Sequence, residues 1–369
     1  MRPIGVGIIG AGPDRGWAGR AHVPALRALP EYRLVAVGTS RAESAERAAG
    51  MFGAAHAFTD PRALAEHPDV DLVTVTVKVP AHAELVGAAL AAGKHVYCEW
   101  PLARTTEEGV ALAGSAREVH TAVGLQTRYA PAVGYARELL AHGELGRVTS
   151  VNLFTARALG AGGTLPGWAA YTLDATNGAG LLEVIGGHAL DALEYLLGGF
   201  SELSATLAVR HPTLAVAETG AEVAVTSPDH VLVSGVLGDG VVASVHIAQA
   251  EVAEPRSRLE IAGTSGSLAL VSTPATALED VQLPIGELRL LASDGPGRPW
   301  RELPIPARHR PDSAITVTAA RHVSRLYRHL AEDIRTGGRN VPDFATGVRV
   351  HELLDAVRHA ATAGTAVLG

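Results

Sequence analysis

Residues 7 to 17 read Gly7-Ile-Ile-Gly10-Ala-Gly12-Pro-Asp-Arg-Gly16-Trp17, a glycine-rich loop that directly follows an apolar run. A loop of this kind ahead of a helix presents unpaired N–H groups and the positive end of the helix dipole, which together cradle a pyrophosphate. Gly10 makes the tight turn and Gly12 lets the backbone approach the phosphates. Gly16 falls one residue later than in the usual G-x-G-x-x-G spacing, so the loop carries an insertion. A structural strand-to-helix turn alone would read the same way; the setting between strand and helix favours a dinucleotide. The next strand ends Val37-Gly38-Thr39-Ser40-Arg41, where an NAD site would carry Asp or Glu for the ribose hydroxyls. A hydroxyl and a guanidinium there suit a 2′-phosphate, so Ser40 and Arg41 favour NADP, with NAD the alternative. A helix-capping serine followed by a solvated arginine would look the same.

Two further residues have chemistry to offer. The chain has only two lysines, Lys78 and Lys94, against 29 arginines. Lys78 ends a predicted strand, where doubly wound folds bind ligands, so its ammonium is a candidate for the cofactor or a substrate oxygen. Pairing with a neighbouring carboxylate or a phosphate is the alternative, of equal weight. His188 follows Gly186-Gly187, where small residues allow close approach, and its imidazole can exchange a proton near neutral pH. A packed helix histidine is the alternative. There are 16 histidines, but no H-x-x-x-H pair or C-x-x-C has ligand spacing. His56, His67, His142 and His211 read as scattered, and no metal is expected.

These residues need elements to hold them. Strands at Pro3–Ile9, Tyr32–Val37, Asp71–Val77, His95–Cys98 and Ala122–Leu125 alternate with helices over 18–29, 41–52, 81–92 and 105–119. That alternation predicts a doubly wound parallel sheet. Past Arg128 comes a helix at 131–142. Longer alternating strands follow at Val148–Thr155, Leu203–Val209, Ala221–Val225, His230–Leu237, Val241–Ala248, Ser257–Ala262 and Ser267–Val271. They predict a mainly antiparallel sheet with one face covered. A helical segment spans Gly178–Leu197, a Pro-rich excursion covers 274–311, and helices over 319–335 and 345–361 close the chain.

With 369 residues, 47% hydrophobic and 19% charged, two globular domains are expected. A net charge of −7 gives no basic field for nucleic acid or an anionic membrane. A single cysteine, Cys98, excludes an internal disulfide and points to a reducing compartment; with no signal peptide read at Ile4–Ile9, a cytoplasmic protein is expected.

Several blocks, in order, resemble the Gfo/Idh/MocA oxidoreductases along nearly the whole chain. They are Gly7–Gly12, Asp71–Val77 with His82, the run Ala91-Ala-Gly-Lys-His-Val-Tyr-Cys-Glu-Trp-Pro-Leu-Ala103, Tyr135–Val148 and Gly178–Leu197. The resemblance implies an N-terminal Rossmann domain over 1–127. It also implies a C-terminal α/β domain over 128–369, whose open sheet carries the substrate face and often an oligomer interface. Trp17-Ala18, His22, Pro24, Glu99-Trp100, Leu125-Gln126-x-Arg128, Ser227-Pro-Asp-His230 and Gly187-His188-x-x-Asp191 resemble the branch that includes the fungal galactose-pathway corepressor. It follows from the resemblance that Trp17, His82, Glu99 and Trp100 lie at the cofactor, and that Arg128, Tyr171 and Asp174 meet sugar hydroxyls.

Members of that family present a lysine in Glu-Lys-Pro and the spacing Asp-x-x-x-His. Here Trp100 and Val184 stand at the lysine and aspartate positions, and only His188 is kept. Glu183 is one residue off, a quarter-turn round an α-helix. The resemblance therefore implies an NADP(H)-dependent oxidoreductase for a sugar, polyol or glycosylated metabolite. In that reading His188 is the proton partner and Lys78 or a water replaces the lost lysine. The alternative is a catalytically silent, dinucleotide-binding regulator. A homodimer or homotetramer is expected, because an open sheet face demands burial.

Overall fold

The computed structural model describes residues 2–14, 16–249, 251–273, 281–310 and 315–368. The N-terminal part begins with β1 (Ile4–Ile9), buried at all six positions, as a strand covered on both faces must be. A π-helical turn, Ala18–His22, leads into α1 (Val23–Arg27). Next come β2 (Tyr32–Gly38), α2 (Ala42–Phe52), β3 (His56–Phe58), α3 (Pro61–Glu66) and β4 (Leu72–Val75). The part closes with α4 (His82–Ala91), β5 (His95–Cys98), α5 (Thr106–Ser115) and β6 (Thr121–Val123). The strands form a parallel sheet in the order β3-β2-β1-β4-β5-β6. The order reverses between β1 and β4, and ligands of such sheets bind beyond the carboxyl ends at that point. β3 and α3 escape the sequence reading because each is short and neither has an apolar run of its own. The helix expected over 18–29 is instead a π turn and a short α-helix.

After α6 (Pro131–Ala141) come β7 (Val148–Arg157), β8 (Thr164–Leu165), a π turn Leu182–Gly186 and α7 (Gly187–Leu197). Strands β9 (Phe200–Ala208), β10 (Thr213–Val216), β11 (Glu222–Ala224), β12 (His230–Leu237), β13 (Val241–Gln249), β14 (Arg256–Gly263) and β15 (Ser267–Ser272) follow. β16 (Leu288–Ser293) and β17 (Arg301–Leu303) fall inside the supposed Pro-rich excursion, of which 274–280 lie outside the described residues. The chain ends with α8 (Thr318–Thr336), α9 (Phe344–Ala363) and β18 (Ala366–Val367). Nine strands make one sheet, β17-β16-β15-β14-β7-β13-β12-β9-β18, antiparallel except for β7 beside β13. On β12 and β13 the burial alternates: Val231, Val233, Val245 and Ile247 point inward, while Leu232 and Val242 stay 46% and 61% exposed. One face of this sheet is thus open, carrying Leu232 and Val242 among polar residues such as Ser234, Ser244 and Asn152.

Two compact units emerge, Met1–Gln126 with Pro311–His351, and Thr127–Arg310 with Glu352–Gly369. The expected division lies at 127/128, whereas the first unit also takes in Pro311–His351. The tail departs from it, because α8 and the start of α9 belong to the nucleotide-binding unit. Tyr327 on α8 accounts for this: it is fully buried in that unit, and its carbonyl accepts the Tyr32 hydroxyl at 2.6 Å.

Candidate active site

The glycine loop leaves β1 where the sequence requires. Gly10 has φ +94°, a conformation that side chains disfavour, and a Cβ there would stand 2.8 Å from Val77 Cγ1 and 3.0 Å from the Thr76 carbonyl carbon. The amides of Gly10 and Ala11 both donate to the Gly38 carbonyl, tying the loop to the end of β2. Gly16 accepts the Arg20 amide at 3.2 Å and so opens the helix. The extra residue in the loop is followed directly by the π turn, a form that accommodates one additional residue and recurs at functional sites. Among the described residues, the indole Nε1 of Trp17 is buried without a partner, as is Oε1 of Gln126 just beyond β6. Buried polar atoms are normally satisfied, so these two, with the Gly10 cradle, fit a bound dinucleotide. Gln126 was not singled out from sequence as a ligand, since nothing marks an orphaned amide before the fold exists.

Ser40 and Arg41 follow β2 and are exposed. The helix-capping reading of Ser40 fails, because the N-cap of α2 is Arg41 and no side chain caps it. Thr39 instead bonds Ser44 Oγ at 2.6 Å. Lys78 sits beyond β4, exposed, at the start of a short 3₁₀ turn.

Three of the residues expected at the cofactor are engaged elsewhere. His82 places Nε2 3.0 Å from the Val77 carbonyl and Nδ1 2.8 Å from that of Pro101, so it braces two loops against each other. Burial lowers its pKa, against the pull of those carbonyls. Glu99 lies 2.9 Å from His22 Nε2 and is nearly buried. Trp100 is 5% exposed and packs at 4.8 Å on the ring of His351. Cys98 is fully buried, and burial raises its thiol pKa, so it is no nucleophile.

In the other unit, His188 lies at the start of α7, 4% exposed, with Nδ1 lacking any partner among the described residues. Burial alone depresses its pKa to about 3, so the imidazole is neutral. The quarter-turn offset expected for Glu183 does not hold. Through the π turn Leu182–Gly186 the Gly187 amide reaches back to the Leu182 carbonyl, five residues away. The turn absorbs the extra residue and gives Glu183 the angular relation to His188 that a residue four earlier has on an α-helix. The Glu183 carboxylate is buried and accepts the Gly180 amide at 2.9 Å and Arg358 at 2.7 Å. Gly180 has no room for a side chain, since a Cβ would stand 1.8 Å from Ser227 Oγ.

Arg128 is not free for a sugar hydroxyl: its guanidinium forks onto Asp191, the Nε bond being 2.9 Å, and lies 5.0 Å over the Tyr195 ring. Burial works against its charge, and the bonds from Asp191 outweigh it, holding its pKa above the ordinary value. Asp174 caps a turn by accepting the Thr176 amide at 2.9 Å and is exposed. Tyr171 is half-buried on the 3₁₀ segment Gly167–Leu173, and burial raises its pKa. His56 and His67, which read as scattered, meet: with Asp69 they place ligand atoms within 4.8 Å of one another. Nδ1 of His67 already accepts the Asp69 amide at 3.2 Å, so the trio reads as a locked turn.

A sequence model described as an oxidoreductase family with NAD-binding Rossmann fold matches residues 4–127. One described as the Gal80p C-terminal domain matches 131–272. Dehydrogenase aclE of Aspergillus oryzae is 38% identical over 247 residues, covering 64% of this chain and 67% of that one. The dTDP-3,4-didehydro-2,6-dideoxy-α-D-glucose 3-reductase of Streptomyces violaceoruber is 32% identical over 371 residues, covering 98% and 96%. Among solved structures, levoglucosan dehydrogenase in complex with NADH and levoglucosan superposes with a TM-score of 0.84 at 26% identity, over 99% of both chains. A Rossmann sheet with its glycine cradle, a mainly antiparallel second sheet and a near full-length match to a sugar reductase agree: the chain belongs to the Gfo/Idh/MocA oxidoreductase family.

Proposed function

We propose that this chain is an NADP(H)-dependent oxidoreductase that interconverts a carbinol and a carbonyl on a sugar, polyol or glycosylated metabolite. The observation that carries the reading is His188, a buried neutral imidazole with an unpartnered nitrogen, in a chain whose other unit has the glycine cradle. The dinucleotide supplies a hydride donor or acceptor. His188 takes the hydroxyl proton on Nδ1 during oxidation and returns it during reduction. Lys78 holds the substrate oxygen in place of the missing lysine, or leaves that role to a water. Tyr171 and Asp174 contact sugar hydroxyls, and Arg128 acts through Asp191 by holding α7. Gly10, Gly12, Gly16 and Trp17 receive the pyrophosphate side, with Ser40 and Arg41 at the 2′-phosphate. His82, Glu99 and Trp100 shape the loops behind the cofactor. A homo-oligomer assembled through the open sheet face, in the cytoplasm, completes the reading.

One observation favours the second reading, a silent dinucleotide-binding regulator. Trp100, at the lysine position, is packed on His351 rather than left open to a substrate, in a chain whose residues 131–272 match the Gal80p C-terminal domain. Turnover of sugars by the NADP(H)-loaded protein, abolished by His188→Asn, decides for the enzyme. Firm dinucleotide binding without turnover decides for the regulator.

A further inference from the structure

The nucleotide-binding unit buries a continuous chain of polar groups that the proposed reaction does not use. Thr74 Oγ1 lies 2.9 Å from the Tyr327 hydroxyl, which lies 2.8 Å from His22 Nδ1, and His22 Nε2 lies 2.9 Å from Glu99 Oε1. Thr74, Tyr327 and His22 are wholly buried and Glu99 is 9% exposed. An ionised carboxylate can only accept, so His22 Nε2–H donates to Glu99. Nδ1 then accepts the Tyr327 hydroxyl, whose oxygen accepts that of Thr74. Each member depends on the next, and only Glu99 keeps a little access to water.

The backbone is shaped to allow this chain. His22 is the last residue of the π turn that follows the lengthened glycine loop, so the turn decides where the imidazole points. Gly124 leaves the room for Glu99, since a Cβ there would stand 2.8 Å from Oε2. At the far end, Glu99 is joined directly to Trp100, which rests on His351, and Nε2 of His351 accepts the Ala103 amide at 3.4 Å. The π turn that follows the glycine loop and the Glu99–Trp100–Pro101 segment are thus joined through one buried contact, His22 to Glu99, with Tyr327 and Thr74 behind it.

We infer that His22 is a positioning residue that couples the glycine loop to Trp100: filling the loop with a pyrophosphate shifts the indole through His22 and Glu99, without touching it. The inference rests on the dinucleotide reading of the loop. A largely buried carboxylate follows the imidazole that donates to it when that imidazole moves, because separating them leaves a poorly solvated charge. Coupling of this kind is reciprocal, so the state of the Trp100 segment also sets affinity at the loop.

The test uses the full chain labelled with 5-fluorotryptophan and read by fluorine NMR, the Trp100 resonance being assigned with Trp100→Phe. The probe is ADP-ribose, which occupies the pyrophosphate cradle but has no nicotinamide ring to reach the indole. The expected result is a shift of the Trp100 resonance on binding in the unaltered chain, lost in His22→Gln and in Tyr327→Phe while ADP-ribose still binds. Tyr327→Phe removes a single hydroxyl and serves should His22→Gln fail to fold. A shift of unchanged size in the variants, or none in the unaltered chain despite binding, would overturn the coupling. No binding of ADP-ribose at all would overturn the dinucleotide reading itself, and the coupling with it.

Discussion

His188 provides a direct check on how the second unit is built. Among the described residues no charged group favours its protonation, and burial takes its pKa from 6.5 to about 3. The folded chain therefore refuses a proton that the unfolded chain accepts below pH 6.5. A depressed folded pKa contributes stability that is present above the unfolded value and is lost as pH falls towards the folded one. Each pH unit within that window is worth about 1.4 kcal/mol, so going from about pH 8 to about pH 5 removes about 2 kcal/mol. Other groups titrate across the same range, so the measurement is a difference. Denaturant unfolding at both pH values is compared between the unaltered chain and His188→Gln, which does not titrate. The unaltered chain is expected to lose about 2 kcal/mol more than the variant. Equal losses would mean that the folded chain accommodates the imidazolium, and the dry, unpartnered site described for His188 would be wrong. The same neutrality leaves a ring nitrogen that can accept a hydrogen bond from a substrate hydroxyl near pH 7.

Three other substitutions probe separate claims. Asp191→Ala strands the Arg128 guanidinium in a buried site and should cost about 3–5 kcal/mol, read by denaturant unfolding; a loss near zero would mean that the pair is solvated. Arg41→Ala should weaken NADP binding about tenfold, the value of one charge-assisted bond, and leave NAD unchanged, as measured by calorimetry. Equal loss for both cofactors would remove Arg41 from the 2′-phosphate. Gly124→Ala pushes a methyl into the Glu99 carboxylate and should destabilise by about 1–3 kcal/mol, whereas Gly50→Ala, with open space around it, should not.

Much of the architecture was legible because it is periodic. β1, β2, β5 and β12 are apolar or alternating runs bounded by turn residues, and burial of one or both faces leaves such runs little choice. What escaped was short or masked by composition: β3 lacks a β-branched run, and β16 and β17 sit among prolines. The site was legible only at the glycine loop, where sequence and backbone conformation are the same statement. The partners of Arg128, His82 and Glu99 lie 63, 19 and 77 residues away, so their engagement could not be read locally. The two π turns were visible only as displaced spacings, Gly16 by one and Glu183 by one. No propensity reveals that a helix will absorb the extra residue instead of rotating it off the face. For Glu183 that distinction reverses the reading.

The most direct test of the central claim follows nicotinamide absorbance while the NADP(H)-loaded protein meets a panel of sugars, polyols and keto-sugars, with His188→Asn alongside. Turnover on at least one member, abolished in the variant while cofactor affinity stays the same, is the predicted result. Firm cofactor binding with no absorbance change on any member would contradict it and leave a nucleotide-binding regulator in its place.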